Sequence, residues 1–160
     1  MNADAVFFPI QTLKDPAFQD KLDKFLTDGK PVLVTDGLAH HIENIDQYEN
    51  LHVLNVNVDP INLLEFSREE LNDIRSKMLK PFEMKFDAPS MVSLYLMGDD
   101  LVVIENFRDE PVAVKLETEF SMNPEIALIL PVNTEVGKEF SETKLLFSDI
   151  PARSLVAVTY

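Results

Sequence analysis

Apolar residues recur along this chain with two different periods, and the change of period divides it near residue 80. In DPAFQDKLDKFLTDG, Phe18, Leu22, Phe25 and Leu26 fall at i, i+4, i+7 and i+8, one stripe of a helix. Asp15 suits the N-cap and Pro16 the first helical position, where a missing N–H costs nothing. Gly29 suits the left-handed residue that closes a helix. PVLVT follows two residues later, so the helix is expected to pack on the strand it leads into, as an α/β unit. LHVLNVNV predicts a second strand, with Leu54, Val56 and Val58 opposing Val53, Asn55 and Asn57, ended by Asp59-Pro60. A second helix opens at SREEL. Ser67 and Glu70 form a capping box, Phe66 and Leu71 a hydrophobic staple, and Leu71, Ile74 and Met78 the buried face.

From residue 91 the period is two. MVSLYLMG and LVVIENF flank Gly98-Asp99-Asp100, which predicts a hairpin. LVVIENF and PVAVKLE flank Arg108-Asp109-Glu110, read as a second hairpin, with Val112, Val114 and Leu116 on one face of the latter strand. EIALILP, TKLLFSD and SLVAVTY supply three more strands. Six short strands at this spacing predict a small antiparallel sandwich. The fold class expected is α+β: a partial α/β layer over 1–80, a linker over 81–90 with two prolines, and an antiparallel β-sandwich over 91–160.

Composition sharpens this reading. With 46% hydrophobic and 26% charged residues among 160, the chain is long enough and apolar enough to bury a core. Its 14 basic against 28 acidic residues leave a formal charge of −14, a field that repels nucleic acid and anionic membranes. There is no cysteine, so disulfides, thiolate metal sites and cysteine nucleophiles are excluded. No apolar run nears the roughly 20 residues a membrane span needs, and the N-terminal stretch lacks the basic and apolar regions of a signal peptide. A soluble, cytoplasmic chain is the default expectation.

LVVIENFRDEPVAVKLE, with LLFSDIPARSLVAVTY about 30 residues later, resembles the C-terminal β-sandwich of many glycoside hydrolases. The likeness rests on Asn106, Phe107, Asp109, Pro111 and Val112 in the first element and on Pro151, Ser154, Leu155 and Val156 in the last. The helix–strand unit ending in GKPVLVTDG is similar to a late piece of the amidotransferase-like α/β domain through which some β-galactosidases trimerise, just before such a sandwich. The N-terminal part holds fewer strands than a whole domain of that type, and the catalytic barrel with its paired carboxylates is missing. The resemblance therefore implies a non-catalytic accessory or assembly module that packs and homo-oligomerises through its N-terminal part, with no catalytic residue to carry over and no cofactor. Its implied partners are a second copy of the chain or a catalytic domain of a longer parent chain.

Candidate chemistry concentrates in PVLVTDGLAHH. Loops after the strands of an α/β layer are where ligands bind, which places Thr35 and Asp36 as ligand-binding candidates. A threonine nucleophile needs a base and oxyanion donors that the pattern does not supply. The plainer reading has Asp36 capping LAHHIENI as a short helix, with Gly37 permitting the turn. His40 and His41 are adjacent and point about 100° apart on a helix. Asp36, His40 and His52 are the best metal set available, suited to zinc or iron. The acidic turns Asp99-Asp100 and Asp109-Glu110 are calcium candidates without EF-hand spacing. Glu65, Glu69, Glu70 and Asp73 read as a charged helix start. For carbohydrate, the chain offers no Trp and only Tyr48, Tyr95 and Tyr160; Tyr95, alternating with Leu94 and Leu96, is the aromatic expected to face solvent on the sandwich.

Overall fold

The computed structural model describes residues 3–57, 59–132 and 134–160. It divides into two compact units, Met1–Phe66 with Asp73–Phe82, and Ser67–Asn72 with Glu83–Tyr160. The α+β class holds, and the stretch 81–90 carries a strand, Met84–Asp87.

In the first unit, β1 (Val6–Phe8), β2 (Val32–Thr35) and β3 (Leu51–Leu54) form a parallel sheet in that order. Helix α1 (Phe18–Thr27) lies in the connection from β1 to β2. Its stripe of Phe18, Leu22, Phe25 and Leu26 is buried against Phe8, Val32, Val34 and Leu51, as the spacing predicts. The helix starts later than the sequence suggests. Asp15 accepts the Ala17 N–H at 2.9 Å and opens a turn, so regular helix begins at Phe18 with Ala17 at its cap. Gly29 ends it at φ +69°, and the Lys30 N–H returns to the Phe25 carbonyl at 3.1 Å, which satisfies a terminal acceptor.

Leu33 and Leu54 point to the opposite face, where they pack with Val56 and with half-buried Leu63, Phe66, Ile74 and Met78. A parallel sheet covered on two faces needs continuous apolar strands, and PVLVT is one. The predicted strand LHVLNVNV stops at Leu54; Val58 lies outside the described residues. Asp59 instead caps a 3₁₀ turn, Pro60–Glu65, by accepting the Ile61 N–H at 3.0 Å.

Helix α3 (Arg68–Leu79) begins with the predicted capping box. The Ser67 N–H donates to Glu70 Oε2 at 2.8 Å, and the Glu70 N–H donates to Ser67 Oγ at 3.2 Å. Ile74 and Met78 join the core of the first unit; Leu71 is half-buried and groups with the second.

The second unit holds two four-stranded antiparallel sheets. One is ordered β4 (Met84–Asp87), β7 (Val112–Thr118), β10 (Lys144–Ile150), β9 (Gly137–Ser141). The other is ordered β5 (Val92–Met97), β6 (Leu101–Asn106), β11 (Ser154–Thr159), β8 (Glu125–Leu130). Strands β4 and β9 were not predicted; MKFD lies between prolines, and GKEFS is mostly polar. Val112, Val114 and Leu116 are buried on one face, as expected, and Leu145 and Phe147 stand beside them in register. Val92, Val102, Ile104, Val156 and Val158 form the buried face of the other sheet.

The β5–β6 hairpin is present, with Gly98 at φ +69° in its turn. The second predicted hairpin is not. Strands β6 and β7 belong to different sheets, so Arg108-Asp109-Glu110 crosses from one sheet to the other. The connection from β10 to β11 crosses likewise, and Asn106 joins the two crossings. Its side chain is 1% exposed, donates to the carbonyls of Glu110 (2.9 Å), Ile150 (3.1 Å) and Pro151 (2.9 Å), and accepts the Arg108 N–H at 2.9 Å. A buried amide with this many partners fixes a corner that backbone pairing cannot hold.

Candidate functional site

The Thr35-Asp36 elbow stands at the C-terminal end of β2, as expected for a ligand loop. Thr35, not Asp36, occupies the N-cap of α2 (Asp36–Ala39), and its side chain makes no capping hydrogen bond. Asp36 sits at the first helical position, where its charge suits the positive end of the peptide dipoles. Thr35 Oγ1 is buried without a hydrogen-bond partner among the described residues. Gly37 has an ordinary backbone, and a Cβ there would meet Ile10 at 3.8 Å, so the turn does not require glycine. The helix is one turn long. It ends at Ala39, well short of the predicted LAHHIENI.

His40 follows that turn, while His52 lies in β3. No group of three His, Cys, Asp or Glu residues able to hold a metal forms among the described residues, so Asp36, His40 and His52 do not make a centre. His52 is half-buried, and its pKa lies below the usual histidine value because burial disfavours the imidazolium and Lys77 adds like charge, with Asp73 opposing.

The carboxylates of the Asp109-Glu110 turn are committed to arginines. Asp109 accepts from Arg153 Nε at 2.8 Å, and Glu110 pairs with Arg108. The Arg153 bond holds the Asp109 carboxyl below the usual carboxylate range. Asp100 accepts the Tyr160 N–H through its carbonyl at 3.0 Å. At the start of α3, Glu70 is consumed by the capping box, and Asp73 pairs with Lys77 at 2.6 Å.

Tyr95 does face solvent, 43% exposed, and its hydroxyl donates to Glu105 Oε2 at 3.1 Å. Register places it in a larger surface. Across the outer face of its sheet run Tyr95 and Met97 of β5, Val103 and Leu101 of β6, Ala157 and Leu155 of β11, and Leu128 and Leu130 of β8. Val103 and Ala157 in the centre are buried by their neighbours, while Met97 is 55% and Leu128 45% exposed. The sequence carries a signal for this surface. LVVI, LVAV and IALIL are continuous apolar runs, and VSLYLM is broken only by Ser93, the pattern of strands with partners on both faces.

No helix among the described residues is long and apolar enough to cross a membrane. No protein-family model matches the chain, and no curated protein does. Among solved structures, an alpha-amylase from H. orenii superposes weakly, at a TM-score of 0.32 and 17% identity. The match takes in 66% of this chain but 23% of the amylase, so this chain spans less than a quarter of that protein's length.

Proposed function

We propose that the chain is a non-catalytic accessory module, of the kind found in the terminal portion of glycoside hydrolases, and that it works by assembly through the outer face of the β5-β6-β11-β8 sheet. The apolar surface of that face carries the reading. With strands about 4.8 Å apart and two apolar outward residues on each, it measures on the order of 250 Å². An ordinary monomer's largest apolar patch is about 300–600 Å², so the reading rests on the contiguity of these residues and not on their area. A stable interface needs about 800 Å² from each partner, so the rim must contribute too. The quoted glycoside-hydrolase motifs add support. Asn106, Pro151 and Ser154 meet at one corner, where Ser154 Oγ donates to the Pro151 carbonyl at 2.6 Å.

Light scattering of the whole chain across micromolar concentrations tests the assembly role. The expected result is a dimer or larger species that becomes monomeric in the double variant Met97→Lys, Leu128→Lys. Leu146→Lys, on the other sheet, should leave the mass unchanged. A strictly monomeric wild type would sink the proposal.

Carbohydrate binding is the second reading, favoured by the exposed Tyr95 ring beside the Glu105 carboxylate. Calorimetry against a panel of oligosaccharides, with Tyr95→Ala as control, decides it; absence of heat from every glycan ends that branch.

A further inference from the structure

An open cleft of about 700 Å³ in the first unit is lined by Asp4, Lys30, Glu49, His52, Lys77 and Lys80, near the N-terminal ends of β2 and β3. In a chain with 14 basic residues against 28 acidic, this lining sets three lysines against the two carboxylates of Asp4 and Glu49, a local excess of one positive charge. The lysines differ in how they are engaged. Lys30, with a side chain only 26% exposed, donates to the Ala3 carbonyl at 2.5 Å and lies 3.5 Å from Asp4. Lys77 holds Asp73 in an exposed i,i+4 pair, which a competing anion displaces at little cost. Lys80 makes no ion pair among the described residues. His52 stands between desolvation and the Lys77 charge and is therefore a neutral ring near pH 7, able to donate one N–H.

Lysines near the last turn of α3 also suit the negative end of that helix. That explanation does not extend to Lys30, which enters from the connection between α1 and β2. We propose that the cleft binds a compact polyanion of the phosphate class, a phosphate monoester or a diphosphate. Lys77 and Lys80 would make the charge-assisted hydrogen bonds, and His52 would donate its ring N–H. The cleft shares no residue with the sandwich face, so this proposal and the assembly role stand or fall separately.

Isothermal titration calorimetry of the full chain with sodium pyrophosphate tests it, with Lys77→Ala, Lys80→Ala and, as a control on the sandwich, Lys144→Ala. The expected result is saturable one-site binding that each cleft variant weakens about tenfold or more, since a charge-assisted hydrogen bond is lost. The control should bind as the wild type does. The proton NMR signal of His52 should move on titration while those of His40 and His41 stay in place. Circular dichroism should show the variants folded, because the substituted side chains are at the surface. No saturable heat, binding unmoved by the cleft substitutions, or equal weakening in the control would overturn the assignment.

Discussion

The two sheets of the sandwich are alike inside and opposite outside. Inward, each presents a closed row of Val, Leu, Ile and Phe. Outward, the β4-β7-β10-β9 sheet sets Lys85 opposite Glu117, Asp87 opposite Lys115, and Lys144 opposite both Glu117 and Ser141. Lys115 and Glu117 pair along their own strand at 2.6 Å. Its edge strand β9 carries Lys138 and Glu139, charges that discourage another strand from adding on. The other sheet shows Tyr95, Met97, Leu128 and Leu130 to solvent, and its edge strand β8 reads EIALIL. One surface is finished by water and cross-strand charge pairs. The other has apolar area of the kind that a second surface covers. Both sheets bury their inner rows alike, and the contrast outside is where function is to be sought.

The largest expected effect comes from removing what makes the two sheets one body. Asn106→Ala deletes the bonds to the Glu110, Ile150 and Pro151 carbonyls; the Pro151 carbonyl keeps Ser154 Oγ, the Glu110 carbonyl is part-exposed, and the buried Ile150 carbonyl loses this side-chain donor. An unsatisfied buried group costs about 1–3 kcal/mol, so a loss of about 2 kcal/mol is expected in urea denaturation. A loss below about 1 kcal/mol would mean that the crossings are held by the surrounding backbone, and the corner would lose its assigned role.

Salt sharpens the contrast next. Copies of a chain carrying −14 repel one another, and that repulsion reaches about 10 Å at 0.1 M salt but about 3 Å at 1 M. Association through the apolar face should therefore strengthen severalfold as sodium chloride is raised, read as the midpoint of the dimerisation curve. Weakening with salt would instead assign the contact to ion pairs and thus to the charged sheet.

Local signals in the sequence were read correctly where one residue does one job. Ser67 and Glu70 cap α3, Gly29 closes α1, and the alternation of Val112, Val114 and Leu116 marks a buried face. The readings that failed needed long-range information. Arg108-Asp109-Glu110 is as short as a hairpin turn, and only the burial of Asn106 distinguishes a crossing between sheets from a return within one. Asp36 is a common cap residue, yet α2 begins directly after the last residue of β2, which leaves Thr35 at the cap. His40 and His52 are twelve residues apart by numbering and belong to different elements, so no spacing rule could join them. The apolar face was legible as continuous runs, but sequence alone does not say which sheet those runs would share. The cationic cleft had no signal at all, because Lys30, Lys77 and Lys80 come from distant segments.

The smallest effect concerns the charged sheet and its dependence on pH. Asp87 at the end of β4 accepts from Arg68 Nε and from Asn72 Nδ2, each at 2.5 Å. The Arg68 bond, opposed by partial burial and aided by Asn72, holds the Asp87 carboxyl below its ordinary value of 3.8. The folded chain therefore binds this proton less readily than the unfolded chain does. The resulting stability is present above about pH 4 and is lost as pH falls through the lowered pKa. The carboxylate side chain is 46% exposed, so solvent screening keeps the contribution below about 1 kcal/mol. Between pH 5 and pH 3, the wild type should lose more unfolding free energy than Asp87→Asn, whose amide does not titrate. Other carboxylates are common to the two proteins and cancel in the difference. Parallel loss in wild type and variant would show that Arg68 and Asp87 contribute nothing measurable, leaving the cross-strand pairs of Lys85, Lys115 and Glu117 to account for the polar face.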